Sequence, residues 1–93
     1  MSLTNVIINV IGPEIMLKRE IALEGSSLTF GDLIRILLHQ HEGPWERILE
    51  NDQSLKKDCV ALVNGRNIQT LDSYSTRLHD GDEVTFTVLI SGG

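Results

Sequence analysis

One segment of this chain has the length and period of an amphipathic helix, and its apolar side needs a surface to pack against. Apolar residues recur three or four positions apart and share one stripe: Phe30, Leu33, Ile34, Leu37 and Leu38. Thr29 before this run and Asp32 three residues later are close to a capping box. The pattern stops at Glu42-Gly43-Pro44, because Gly ends helices and Pro can begin another one.

Two strand-like segments precede the helix. Asn5–Ile11 is rich in β-branched residues, and its continuous apolarity predicts a strand that is covered on both faces. A turn signal follows at Gly12-Pro13-Glu14. Residues 15–24 then alternate between apolar and polar side chains, which is the period of a half-buried strand. Together they predict an antiparallel hairpin, and Gly25-Ser26-Ser27 ends its second strand.

Shorter elements follow the helix. Pro44–Glu50 has helical spacing and predicts a second, short helix, and the polar segment Asn51–Asp58 predicts a surface loop. Cys59–Val63 predicts a third strand. Asn64-Gly65, a dipeptide favoured in tight hairpins, then leads into a short returning strand at Arg66–Ile68.

The last predicted strand is Val84–Ile90, reached through an irregular segment, Thr70–Arg77, and a tight turn, Leu78–Glu83. Val84, Phe86, Val88 and Ile90 share one face of this strand, while Thr85, Thr87 and Leu89 share the other. One amphipathic helix on one face of a mixed sheet of four to five strands predicts a two-layer α+β domain. We expect this domain to span residues 1–90 and residues 91–93 to form a flexible tail.

Composition limits the classes of function. The formal net charge of −5 disfavours nucleic-acid binding, which needs a basic face, and suits a basic protein partner instead. The single cysteine, Cys59, agrees with a reducing compartment. The apolar runs are too short to span a membrane and no leader pattern is present, so the expected location is the cytoplasm.

Conventional catalytic side chains are sparse. His39 and His41 lie two apart on a helix and diverge, and His79 stands alone in a turn. Cys59 opens a strand and is interpreted as a small buried side chain. The glycines compose no phosphate-binding loop, so no bound cofactor is expected. Four acidic residues near the last strand form either a binding face or a solvated turn: Asp72, Asp80, Asp82 and Glu83.

Gly92-Gly93 is then the most informative feature for function. Two residues without side chains would let a terminal carboxyl group enter a narrow pocket in which any Cβ would collide. The segment Ile90–Gly93, when extended, reaches about 12–14 Å. A partner that binds ATP could adenylate this carboxyl group, after which a sulfur or nitrogen nucleophile attacks the carbonyl carbon.

Two stretches carry a resemblance to a known family. Leu78–Val84, followed by a strand and Gly92-Gly93, resembles the end of the ubiquitin-like sulfur carriers, which include MoaD of molybdopterin synthase and ThiS of thiamine synthesis. Cys59–Ile68, with its Val-Asn-Gly sequence, also resembles MoaD-like proteins. The resemblance implies a β-grasp fold for the whole domain.

The resemblance also implies a function and partners. An adenylating enzyme of the ubiquitin-activating type would charge Gly93, and a sulfur donor would convert the adenylate to a thiocarboxylate. Gly92 would give backbone clearance. The large subunit of molybdopterin synthase, or another sulfur acceptor, would then receive the sulfur. Phe86 or Leu89 would help to dock partners, together with Ile90 and Ser91.

The pathway stays open at this level. MoaD proteins often have prolines just before the tail, which this chain lacks, whereas the segment Pro44–Asp58 favours a MoaD-like or ubiquitin-related-modifier protein over a dedicated thiamine carrier. A protein modifier, a carrier for tRNA thiolation and a non-covalent β-grasp interaction module are the alternatives. In none of these is the chain an enzyme by itself.

Overall fold

The main helix packs on one face of a five-stranded sheet, with a small hairpin at the side. The computed structural model describes residues 2–25 and 27–88. Its strands and helices are β1 (Leu3–Gly12), β2 (Ile15–Glu24), α1 (Phe30–Gln40), α2 (Trp45–Ile48), β3 (Leu49–Asn51), β4 (Ser54–Leu55), β5 (Cys59–Val63), β6 (Arg66–Asn67) and β7 (Glu83–Val88). Two 3-10 turns, Ile68–Thr70 and Ser73–Ser75, lie between β6 and β7.

The sheet is mixed because the first and last strands of the chain lie together at its centre. The strand order is β2, β1, β7, β5, β6. β1 and β7 run parallel, and all other neighbours in this sheet are antiparallel. The predicted two-layer α+β fold, with one main helix and a short second helix, is confirmed.

Helix α1 begins with the predicted cap and buries the predicted stripe. The Thr29 hydroxyl accepts a hydrogen bond from the Asp32 N–H at 3.2 Å, and the Asp32 carboxylate accepts from the Thr29 N–H at 3.0 Å. This capping box satisfies two main-chain donors that a helix start would otherwise leave free. In this stripe Phe30, Leu33, Ile34 and Leu37 are fully buried, and Leu38 is half-buried.

Strand β1 corrects one expectation from the sequence. We predicted that both of its faces would be covered, and this is wrong. Val6, Ile8 and Val10 are fully buried against α1, but Ile11 on the opposite face is 45% exposed. A single main helix covers only one face of the sheet, so the other face of even this apolar strand stays open.

The segment predicted as a surface loop contains a hairpin. Leu49–Asn51 pairs antiparallel with Ser54–Leu55 in a separate two-stranded sheet. The Asn51 side chain accepts from the Gln53 N–H at 2.8 Å and shapes the turn. The Leu55 N–H donates to the Tyr74 hydroxyl at 2.9 Å. Strands this short leave no periodic signal, which is why the sequence did not indicate them.

The predicted turn between β5 and β6 is confirmed. Asn64 has a φ of 51° and Gly65 a φ of 83°, the left-handed pair that a two-residue hairpin of this type requires. The returning strand is shorter than expected, because Ile68 enters a 3-10 turn. Among the described residues, no helix is both long and apolar enough to cross a bilayer.

Candidate functional site

Strand β7 carries the chain toward the predicted tail from the centre of the sheet. It pairs with β1 on one side and with β5 on the other. Its last residue, Val88, lies opposite Cys59. The predicted site residues Leu89, Ile90, Ser91, Gly92 and Gly93 lie outside the described residues. The structure therefore defines the surroundings from which the tail starts.

The β1–β2 turn packs closely against the end of β7. A Cβ added to Gly12 would lie 3.1 Å from the Val88 Cβ and 3.0 Å from the Ile15 Cγ2. Contacts this short require a neighbour to shift. Glycine at this position thus lets the hairpin approach the point from which the tail continues.

Three apolar side chains and the methyl-bearing side chain of Thr87 cross the open face of the sheet at the same end. Ile11 lies opposite Met16 of β2 on one side and opposite Thr87 of β7 on the other, and Thr87 lies opposite Val60 of β5. We call these four residues the apolar row. Met16 is 86% exposed and Ile11 is 45% exposed, while Thr87 and Val60 are half-buried. Exposed apolar groups grouped in this way are typical of a protein interaction surface.

A hydrogen-bonded polar patch borders the apolar row. The Asn9 amide Nδ2 donates to the Glu83 carboxylate at 2.7 Å and contacts the Thr85 hydroxyl at 3.3 Å. These three side chains join β1 to β7 on the open face. The open face therefore has an apolar end beside the start of the tail and a polar end beside the beginning of β7.

The turn before β7 is anchored to β1 by Asp80. Its carboxylate accepts from the Asn5 N–H at 2.8 Å and from the Asn5 side chain at 3.1 Å. Gly81 has a φ of 89°, which favours glycine, and its N–H donates to the Asn5 carbonyl at 2.7 Å.

Asp82 anchors the same turn to the β5–β6 hairpin. Its carboxylate accepts from the His79 N–H at 2.8 Å and from the Asn64 side chain at 2.9 Å. The Asn64 side-chain oxygen accepts from the Glu83 N–H at 2.9 Å. The carboxylates of Asp80, Asp82 and Glu83 are thus engaged within the protein, which favours a structural turn over an acidic binding face.

The expectation that Phe86 contributes to partner docking is corrected. Its side chain is fully buried, and its ring lies 5.8 Å from that of Phe30, centroid to centroid. Neighbouring residues of a strand point to opposite faces, so the positions of β7 on the open face are Glu83, Thr85 and Thr87. Phe86 holds β7 to the helix.

Cys59 is buried, as the sequence predicted. Burial, with a smaller contribution from the negative charge of Asp58, raises the pKa of the Cys59 thiol to about 11. Because the thiolate is the reactive form, this cysteine is a poor nucleophile at neutral pH.

The three histidines lie in separate places. The His39 Nε2 lies 3.0 Å from the Asp52 carboxylate, linking α1 to the β3–β4 hairpin. The His41 carbonyl accepts from the Trp45 indole N–H at 3.0 Å. His79 lies beside Asp82, with Nδ1 3.8 Å from the carboxylate. Within residues 2–25 and 27–88, no group of three or more His, Cys, Asp or Glu residues is placed to hold a metal ion.

Reasoning from the sequence did not identify Met16 and Ile11 as candidate docking residues. A signal was present, because Met16 occupies a polar phase of the alternation in residues 15–24. Its position opposite Ile11 follows only from the strand register.

The central parallel pair, the antiparallel hairpins and the single covering helix define a ubiquitin-like protein with the β-grasp fold. The crystal structure of SAMP1 from Haloferax volcanii matches this chain with a TM-score of 0.69, covering 96% of this chain and 99% of that one at 21% sequence identity. At this identity the match shows the fold alone.

The sequence comparisons define the family. Small archaeal modifier protein 3 of Haloferax volcanii is 37% identical over 65 residues, which are 70% of this chain and 70% of that protein. Ubiquitin-related modifier 1 of Kluyveromyces lactis is 34% identical over 80 residues, 82% of this chain and 78% of that protein. The model of the ThiS family matches residues 8–93, so this chain belongs to the ThiS family. It is a ubiquitin-like carrier or modifier protein.

Proposed function

We propose that this protein is a sulfur carrier whose Gly93 carboxyl group is adenylated and then converted to a thiocarboxylate. The observation that supports the proposal most strongly is the match of the ThiS family model through Gly92 and Gly93. The position of β7 supports it too. Because β7 is paired with a strand on each side, it holds the point from which the tail continues in a fixed position.

The chemistry divides between this chain and its partner. The Gly93 carboxylate attacks the α-phosphate of ATP, pyrophosphate leaves, and an acyl adenylate forms. A hydrosulfide equivalent then attacks the carbonyl carbon, AMP leaves with the electron pair of the broken C–O bond, and the thiocarboxylate remains. The partner binds ATP and catalyses both steps, while this chain supplies the carboxyl group and binds no cofactor of its own.

The docking of the partner would use the apolar end of the open face. The apolar row lies at the same end of the sheet as Val88, the last described residue before the tail. An adenylating enzyme of the ubiquitin-activating type would cover this row and receive the tail in a narrow pocket. Leu89, Ile90 and Ser91 would line the path, and Gly92 would keep its narrowest part free of a Cβ. The reactions would take place in the cytoplasm.

We assign the sulfur first to molybdopterin synthesis, with the large subunit of molybdopterin synthase as the acceptor. The support is the segment that forms α2, β3 and β4, because it resembles MoaD-like or ubiquitin-related-modifier proteins more than the shorter thiamine carriers. Carriers for tRNA thiolation fit the same fold equally well.

Complementation tests the tail and the pathway together. The full chain and a variant lacking Gly92 and Gly93 are expressed in strains deficient in the molybdenum cofactor carrier or in the thiamine carrier. We expect the full chain to restore molybdoenzyme activity and the truncated chain to restore none. Equal rescue by both chains would contradict the proposed role of the tail. Tail-dependent rescue of thiamine synthesis alone would contradict the assignment to molybdopterin synthesis and favour a thiamine carrier.

A second candidate function is covalent protein modification. It is favoured by the two relatives described above, both of which are called modifiers. In this function a lysine amine, rather than sulfur, attacks the Gly93 adenylate or a thioester derived from it. It predicts target lysines that carry the tryptic segment Leu78–Gly93, because Arg77 is the last arginine or lysine of the chain, in cells that express the chain, and none in cells that express the truncated variant.

A further inference from the structure

The outer edge of β2 is long and unpaired in the described part of the chain. β2 has ten residues, lies at the edge of the sheet and pairs with β1. Ile15 faces Gly12 across the two-residue turn, and the Gly25 N–H donates to the Ser2 carbonyl at 3.0 Å. The odd-numbered residues therefore bond to β1, and the even-numbered residues direct their N–H and C=O groups outward. Such an edge is a template for another strand.

We propose that β2 pairs antiparallel with β2 of a second copy, around a two-fold axis at Arg19. In this register Lys18 lies opposite Glu20 of the second copy and Met16 lies opposite Ala22, and each pair occurs twice by symmetry. All four pairs join residues whose main-chain groups point outward. Two hydrogen bonds for each pair give about eight between the copies.

The charges of Lys18 and Glu20 favour this register over the two registers whose axis lies one residue away. With the axis at Arg19, both central hydrogen-bonded pairs join Lys18 of one copy to Glu20 of the other. Moving the axis by one residue places Lys18 opposite Lys18, or Glu20 opposite Glu20. Like charges directly opposite each other destabilise a strand pair. At the axis itself, each Arg19 guanidinium donates to the Glu42 carbonyl of its own chain, which directs the like charges away from the central pair.

The helix side of β2 is also self-complementary. At one end of the strand, Ile15 and Leu17 are only half-buried. At the other end, a groove of about 420 Å³ lies between β2 and α1. It is lined by Ala22, Leu23, Glu24, Ile36, Gln40 and His41. In the proposed register Ile15 lies opposite Leu23 of the second copy and Leu17 opposite Ile21. The partly exposed apolar end of each strand therefore meets the groove of the other, as a two-fold interface requires.

The chemistry proposed for Gly93 does not require the dimer, although Met16 belongs both to the apolar row and to the β2 pairs. A two-fold axis through the β2 edges turns the two β7 strands in opposite directions, so the two tails start from opposite ends of the joined sheet. Neither β7 nor β5 takes part in the contact. Failure of the dimer would leave the proposal for Gly93 untouched, and the reverse also holds.

A charge exchange tests the proposed register. The full chain and the variants Lys18→Glu, Glu20→Lys and Lys18→Glu with Glu20→Lys are compared by sedimentation velocity over a series that reaches about 1 mM. Each single variant turns two attractive pairs into repulsive ones, so we expect the dimer dissociation constant to rise about tenfold or more. The double variant restores opposite charges, and we expect a constant close to that of the wild type. Lys57→Glu, an exposed lysine outside β2, is the control and should change nothing.

Amide hydrogen exchange supplies the second measurement. We expect the amides of Met16, Lys18, Glu20 and Ala22 to become protected as the wild-type concentration rises, and to stay unprotected in Lys18→Glu. A wild-type protein that stays monomeric at every concentration would overturn the proposal. So would a dimer that neither single reversal weakens, a double variant that is not restored, or protection confined to another strand.

Discussion

At the scale of single residues, the turn before β7 shows how a carboxylate can hold segments that are far apart in the sequence. Asp80 binds Asn5 across 75 residues, and Asp82 binds Asn64 across 18 residues. The sequence identified these acids as a group but left open whether they form a binding face or a turn. Only the fold decides, because Asn5 of β1 and Asn64 of the β5–β6 turn, which donate to these carboxylates, are distant in the sequence.

Removal of the Asp82 carboxylate should therefore loosen the start of β7. The side chain is 14% exposed and holds two hydrogen bonds. We expect Asp82→Ala to lower the free energy of unfolding by about 2 kcal/mol, measured by urea denaturation, because the donors lose a charged acceptor. Asp72→Ala, at an exposed acid, is the control and should stay within about 0.5 kcal/mol. Equal effects of the two changes would contradict the structural role of Asp82.

Cys59 should make the protein less stable at alkaline pH. Its pKa is raised from 9.0 to about 11 by burial and by Asp58. The folded protein therefore keeps the proton over a range in which the unfolded chain has lost it. The stabilisation is complete below pH 9 and is lost as the pH rises toward 11.

The measurement compares wild type with Cys59→Ala by chemical denaturation at several pH values. Cys59→Ala creates a small cavity, so its free energy of unfolding should be lower at neutral pH. The difference between the two proteins should shrink between pH 9 and 11 by up to about 2 kcal/mol. A constant difference across this range would show that the thiol is not protected from ionisation.

At the scale of elements, signals from residues close in sequence predicted the helix and the turn correctly. The burial of each strand face was not predicted correctly. The capping box at Thr29 and Asp32, the stripe of α1 and the Asn64-Gly65 turn depend on residues close in sequence, and all three are confirmed. The covered face of β1 depends on how many helices pack on the sheet. The apolar run Asn5–Ile11 does not indicate that number. The β3–β4 hairpin could not be predicted either, because both of its strands are too short to show an alternating pattern.

The open face of β1 leads to a prediction about partner binding. Ile11→Glu places a charge in the apolar row, and we expect it to weaken binding of the activating enzyme about tenfold or more, measured by calorimetry. Leu3→Glu is the matched control, because Leu3 is 56% exposed and lies at the other end of the same strand. Circular dichroism should show that both variants fold. Equal loss of binding, or none in either variant, would contradict docking at the apolar row.

At the scale of the whole molecule, the described residues form a folded support for the chemistry that we propose for Gly93. The helix and the sheet bury the apolar side chains, and Phe86 is among them rather than on the partner surface. The buried Cys59 thiol and the internally bonded acids lack the setting of a catalytic group. The class of protein could be predicted from Gly92-Gly93 and the Leu78–Val84 turn, whereas the proposed docking surface could be identified only from the strand register. The pathway could not be predicted in the same way, because it depends on the partner proteins as well as on this chain.

The mass of the C-terminal peptide after activation shows whether Gly93 receives the sulfur. The chain is incubated with its activating enzyme, ATP, Mg²⁺ and a sulfide source, and the intact protein and its last peptide are measured by mass spectrometry. A chain lacking Gly93 serves as the control. We expect a mass gain equal to the replacement of one oxygen by sulfur, located on Gly93 and absent from the control. An unchanged Gly93 under conditions that charge a known carrier, or sulfur on another residue, would contradict it.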